Sequence, residues 1–177
     1  STLDRSSAAS DVYKRQEYDN WLMVRQYRHA LDRAVACLAA RAHSKHEIEQ
    51  KLLRVGYRPC TVEMVLYKLE REHLLNDADF ARQWVEARSG RKLGRSRIAQ
   101  ELRRKGIDAD EAEEALSAIG EDAQLADAIT LAEKAAARAK SDEDPRKTYQ
   151  RIAAMLARRG FRWDIAKEAL AQVLQAD

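Results

Sequence analysis

An all-α fold, an elongated tandem array of three three-helix repeats, is what the sequence predicts, and three observations predict it. First, three gapless segments superimpose: Glu47–Leu69, Arg97–Ile119 and Arg151–Val173, each 23 residues long. Second, each has a glycine at its tenth position (Gly56, Gly106, Gly160), a leucine four residues earlier (Leu52, Leu102, Leu156) and a large apolar residue just after it (Tyr57, Ile107, Phe161). Third, the chain holds only two prolines and six glycines in 177 residues and is rich in alanine, leucine, arginine and glutamate, a composition that favours helix over strand and loop. Repeat arrays present long surfaces to partners rather than enclosing a pocket.

Each element can be justified in chain order. Residues 1–29 are expected to be a tail: residues 1–16 lack core periodicity and read as a foreign leader or disordered segment, and Trp21, Leu22, Val24 and Tyr27 suggest a short helix after them. Repeats are expected at 30–73, 74–120 and 121–177. The first helix of each aligns Ala34, Leu38 and Arg41 with Ala81, Val85 and Arg88, and then with Leu131, Ala135 and Arg138; Asn76 or Asp77 can cap the middle one.

The second helix starts at Ser44, Gly94 or Thr148 as N-cap, and Ser44 with Glu47 forms a capping box. It ends at the glycine, which in left-handed geometry makes a Schellman motif. That motif brings together Leu52 and Tyr57, Leu102 and Ile107, and Leu156 and Phe161. The third helix starts at Pro59, Asp110 or Asp164 and buries Val62, Val65, Leu66 and Leu69 or their counterparts. The polar stretch Ala139–Pro145 reads as a hinge between the second and third units.

Charge is segregated along the chain. Residues 88–105 contain eight basic residues and one acid, Glu101; residues 106–122 contain seven acids and no base; residues 146–163 contain six basic residues and no acid. The candidate anion-facing surface is therefore Arg54, Arg58, Arg91, Lys92, Arg95, Arg97, Arg103, Arg104, Lys105, Arg158, Arg159 and Arg162. Cations in a last helical turn complement the helix dipole, which accounts for one or two per helix. It leaves Arg91, Lys92, Arg95 and Arg97, which crowd a helix start, where cations are disfavoured. The anion is a phosphate backbone or an acidic protein face, because a net charge of +3 identifies no partner by itself.

Other chemistries find little support. Gly90–Ser96 (GRKLGRS) superficially resembles a phosphate-binding loop but is one residue short and follows no strand. His43, His46 and Cys37 lack further ligands at metal-binding spacing. No catalytic acid–base or nucleophile set can be assembled, so neither an enzyme, a cofactor nor a small-molecule substrate is expected. Aromatics fall at core-like positions (Tyr57, Phe80, Trp84, Phe161), leaving Trp163 and Tyr149 less clearly buried. Two cysteines, Cys37 and Cys60, and no apolar run near the ~20 residues that span a bilayer point to a cytoplasmic protein without membrane partners.

The run LLNDADFARQWVEAR (Leu74–Arg88), then Gly94, then RIAQELRRKGID (Arg97–Asp108) resembles the central signature of the RecX family of recombination regulators. Ala30–Tyr57 is similar to that family's first unit, and MLARRGF (Met155–Phe161) to its last. The resemblance implies a protein that lodges in the RecA–DNA filament, restrains its growth and lowers RecA's ATPase, strand-exchange and coprotease activities in DNA repair and the SOS response. It also implies weak, non-specific contact with single- or double-stranded DNA. The alternative is a stand-alone helical DNA-binding protein or transcriptional regulator. The corresponding recognition helix of the second unit, DADEAEEAL, would repel phosphates.

Overall fold

In a computed structural model, residues 2–139 and 143–174 are described, with side chains from residue 12 onward. The described residues form nine α-helices and no strand: α1 Thr2–Ala40, α2 Lys45–Val55, α3 Pro59–Arg71, α4 Asp77–Ser89, α5 Arg95–Arg104, α6 Ala109–Leu116, α7 Glu121–Ala136, α8 Pro145–Arg159 and α9 Trp163–Leu174. They divide into two compact units, Ser1–Asn76 and Asp77–Asp177.

The first unit holds α1, α2 and α3 around one core. Ile48 and Leu52 of α2 meet Ala30 and Ala34 of α1 and Val62, Val65, Leu66 and Leu69 of α3. In place of the expected tail and short helix, α1 runs unbroken from Thr2 into the first repeat. No glycine or proline interrupts residues 1–55, so nothing forces the helix to stop. Val24 and Trp21 on it are exposed, and packing begins near Tyr27.

The capping box is present: Glu47 N–H donates to Ser44 Oγ and Ser44 N–H to Glu47 Oε2, both at 3.2 Å. Beside it lies His43, only 4% exposed. Its Nδ1 lies 2.9 Å from the Arg41 carbonyl and its Nε2 lies 2.8 Å from Lys51 Nζ. In the neutral ring, Nδ1–H donates to the carbonyl and Nε2 accepts from the ammonium. Burial pushes the His43 pKa below its ordinary value, and the Arg41 and Lys51 cations push the same way. The unfolded chain therefore binds this proton more readily, so the first unit is expected to lose stability as pH falls below about 6.5. Urea midpoints at neutral and mildly acidic pH check this. His43→Gln should reduce the slope, and an unchanged slope would assign it to other groups.

The second unit holds two cores. In the first, Phe80, Ala81 and Val85 of α4 pack on Ile98 and Leu102 of α5, with Ile107 and with Ala112, Ala115 and Leu116 of α6. In the second, Ala128 and Ala132 of α7 pack on Ile152 and Leu156 of α8, with Phe161 and with Ala166, Ala169 and Leu170 of α9. The shared isoleucine and leucine of each copy are at most 1% exposed in all three cores. The buried pair of α7 is Ala128 and Ala132, three residues before the expected Leu131 and Ala135, which are only partly buried. Because α7 and α8 share that core, the Ala139–Pro145 connection lies inside the third repeat rather than between units two and three; residues 140–142 of it lie outside the described residues.

The glycine turns are Schellman motifs. Gly56, Gly106 and Gly160 have φ of 98°, 73° and 88°. Tyr57, Ile107 and Phe161 donate to the carbonyls of Leu52, Leu102 and Leu156 at 3.4, 3.1 and 3.1 Å. Two more helices end the same way without glycine. His73 (φ 56°) closes α3 and Lys92 (φ 54°) closes α4, with Leu74 donating to Leu69 and Leu93 to Arg88. A left-handed non-glycine residue costs about 1–2 kcal/mol, which the hydrogen bonds closing each turn offset.

Three expected helix starts shift. Asp108, not Asp110, caps α6, its carboxylate accepting from Asp110 N–H at 2.9 Å. Asp144 rather than Thr148 caps α8, with Pro145 in the first turn; the Asp–Pro pair is the stronger start signal and lengthens α8 by a turn, leaving Thr148 buried inside it. Asp164 sits in the first turn of α9, not before it.

Candidate functional site

Within the second unit, the start of α5 and the end of α8 meet head to tail. Gly94 N–H donates to the Arg159 carbonyl at 2.8 Å and Ser96 N–H to the Gly160 carbonyl at 3.2 Å. Arg95 N–H donates to Oε1 of buried Gln124 at 2.9 Å. The first N–H groups of a helix and the last carbonyls of another have no partners within their own helix, and here two of each satisfy one another, the positive end of one helix dipole meeting the negative end of the other. The approach leaves no room for a side chain. A Cβ at Gly94 would overlap the Gly160 carbonyl and the Phe161 nitrogen; a Cβ at Gly160 would overlap Arg97. Gly160 therefore serves both as a helix end and as a packing surface, a role that its left-handed φ alone did not reveal.

This junction explains much of the basic cluster. Lys92 pairs with Asp127 and Arg95 with Glu113. Arg159 donates to the carbonyls of Arg91 and Lys92 at 3.2 and 3.4 Å. Arg162 pairs with Glu121 at 3.3 Å and Asp164 at 2.5 Å. Glu101, the single acid of the basic run, accepts from Trp84 Nε1 at 3.1 Å and pairs with Arg88 at 2.8 Å and Arg97 at 3.4 Å. Arg88 and Lys105 also lie over the Trp84 ring, 4.2 and 4.8 Å from its centre. The cations at the start of α5 are thus matched by carboxylates of the same unit, which offsets their unfavourable place on the helix dipole.

The other candidates behave differently. Arg54 and Arg58 of the first unit, and Arg91, Arg103, Arg104 and Arg158 of the second, are exposed, and their side chains make no ion pair or hydrogen bond among the described residues. Arg54, Arg103, Arg104 and Arg158 stand in the last turn of their helices, where the dipole accommodates a cation and the guanidinium faces solvent. A guanidinium held there is available to a phosphate or carboxylate from another molecule. Trp163 is 62% exposed at the start of α9, whereas Tyr149 is half-buried.

The His43, His46 and Cys37 group forms no metal cage. His43 is engaged as described, and His46 faces Glu49 at 3.5 Å. Among the described residues no group of three metal-ligating side chains converges. No helix among them is long and apolar enough to cross a membrane.

Three-helix repeats with glycine-terminated middle helices define a helical-repeat protein, here with solvent-facing arginines at several helix ends. Family models describing the first, second and third three-helix domains of RecX match residues 30–69, 76–116 and 122–170. The regulatory protein RecX of Mycobacteroides abscessus is 38% identical over 141 residues, covering 76% of this chain and 68% of that protein. The regulatory protein RecX of Prosthecochloris aestuarii is 36% identical over 148 residues, covering 83% and 95%. The crystal structure of RecX from Lactobacillus salivarius superimposes with a TM-score of 0.78 at 26% identity, covering 85% of this chain and 97% of that one. The chain belongs to the RecX family of regulatory proteins.

Proposed function

We propose that the chain binds the RecA–DNA filament in the cytoplasm and restrains RecA's ATPase, strand-exchange and coprotease activities during DNA repair and the SOS response. One observation supports this reading: exposed arginines that make no ion pair or hydrogen bond among the described residues stand at or beside helix ends, Arg54 and Arg58 in one unit and Arg91, Arg103, Arg104 and Arg158 in the other. Family membership supports it, since the relatives are regulatory proteins. Contact with DNA alone is weak and non-specific; four phosphate contacts would give a log–log salt slope of roughly −3 on single strands.

RecA's DNA-dependent ATPase and filament length, measured with a stoichiometric excess of the chain, test the proposal. Both should fall. Unchanged turnover and length would sink it.

The stand-alone DNA-reading alternative fares worse. The helix that would enter the groove in the second repeat is α6, and its exposed face carries Asp110, Glu113 and Glu114. Tight sequence-selective mobility shifts without RecA would favour it nonetheless.

A further inference from the structure

Helices α7 and α8 enclose a groove of about 410 Å³ on the third repeat. Lys134 of α7 and Arg138 just past its end face Arg151, Arg158 and Arg159 of α8 across it, and no acidic residue is among those lining it. The floor is aliphatic: Leu131 and Ala135 from α7, Ile152 and Met155 from α8. Two of the five cations are already engaged. Arg159 is tied to the carbonyls at the end of α4, and Arg151 holds Glu143 in a two-pronged fork, Nε to Oε1 at 3.4 Å and Nη2 to Oε2 at 3.2 Å. Lys134, Arg138 and Arg158 are exposed and make no such contact among the described residues.

We propose that this groove docks an acidic protein segment: a carboxylate-rich peptide whose apolar side chain rests on the Leu131–Met155 floor. Three features select that occupant. Four cations not neutralised by a carboxylate among the described residues, Lys134, Arg138, Arg158 and Arg159, face a common space and attract an anion while disfavouring a basic chain. The floor offers aliphatic contact but no aromatic ring, so a nucleic-acid base has nothing to stack on, whereas a leucine or phenylalanine side chain gains from burial. The Arg151–Glu143 fork displays the planar two-point geometry in which an incoming carboxylate would be held. Lys134, Arg138 and Arg151 are dispersed in sequence over α7, the turn after it and α8; only the pairing of α7 with α8 collects them.

The groove does not depend on the filament reading. Its test contains no recombinase, so either idea can fail while the other survives. Fluorescence anisotropy of a labelled ten-residue Asp/Glu peptide with a central leucine is measured against the full chain, beside its Asn/Gln counterpart and a labelled oligothymidylate. The acidic peptide should bind and the uncharged one should not. Lys134→Glu with Arg158→Glu should weaken the acidic peptide by about tenfold or more, with helical circular dichroism unchanged. If that pair does not fold, Arg138→Glu alone should weaken binding by about threefold. Failure of the acidic peptide to bind at about 1 mM, or binding indifferent to the substitutions in a folded variant, overturns the proposal. So does a result in which oligothymidylate, and not the peptide, loses affinity on reversal, since the groove would then be a phosphate site.

Discussion

Alanine at Gly94 is expected to destabilise the second unit by about 2–4 kcal/mol, although its backbone is ordinary for any residue. Gly94 has φ −72° and ψ 152°, so no conformational strain is involved. The whole penalty comes from the added methyl, which would overlap the Gly160 carbonyl and the Phe161 nitrogen. The atoms in the way are backbone and cannot swing aside, so α5 and the end of α8 must separate. Separation also breaks the bonds from Gly94 and Ser96 to the Arg159 and Gly160 carbonyls. Gly56→Ala is the control. Its φ of 98° is left-handed, but nothing lies within 4 Å of the added methyl, so only the backbone term of about 1–2 kcal/mol applies. Urea unfolding of the full chain separates the two cases. A Gly94→Ala variant as stable as the parent would mean that the repeats are not joined as described.

Arg103→Glu with Arg104→Glu is expected to weaken the proposed inhibition of RecA by about tenfold while leaving stability within about 0.5 kcal/mol of the parent. Both side chains are exposed and make no ion pair among the described residues, so reversal removes nothing that holds the fold beyond a modest dipole term. Their neighbour Lys105 is left unchanged because it lies over the Trp84 ring, and its reversal would mix a packing effect into the result. Inhibition measured through DNA-dependent ATP hydrolysis, alongside thermal unfolding, reads both quantities. Full inhibition by the folded double variant would remove these arginines from the working surface.

The parts of the fold that were legible in the sequence are those set by local rules. A glycine flanked by a leucine four before and an apolar residue after specifies a helix end, and all three such ends have the expected geometry. Where the local rule is weaker, the helix ends and core positions are not marked by residue type. His73 and Lys92 end helices in left-handed geometry without glycine, so nothing marked them. The α7 core pair Ala128 and Ala132 is inconspicuous beside Leu131 in a helix full of alanine. Superimposing equal segments placed a cap at Thr148, whereas Asp144 and Pro145 lengthen that copy by a turn.

For the site, sequence shows the sign of a charge but not its partner. Arg91 and Lys92 are adjacent in the same basic run. Yet Lys92 pairs with Asp127, 35 residues away, while the Arg91 side chain finds no partner among the described residues. The contact between Gly94 and Gly160 is equally tertiary, and no spacing rule announces it.

Mapped cross-linking against a RecA–single-stranded DNA filament distinguishes an arginine working surface from an acidic one. Photoreactive groups placed one at a time at Arg54, Arg103 and Arg104, and on the acidic face at Asp110 and Glu114, compare the two kinds of surface. Cross-links to RecA or DNA are expected from the arginine positions and few from the acidic face. Cross-links concentrated at Asp110 and Glu114, with none from the arginine positions, would contradict an arginine working surface.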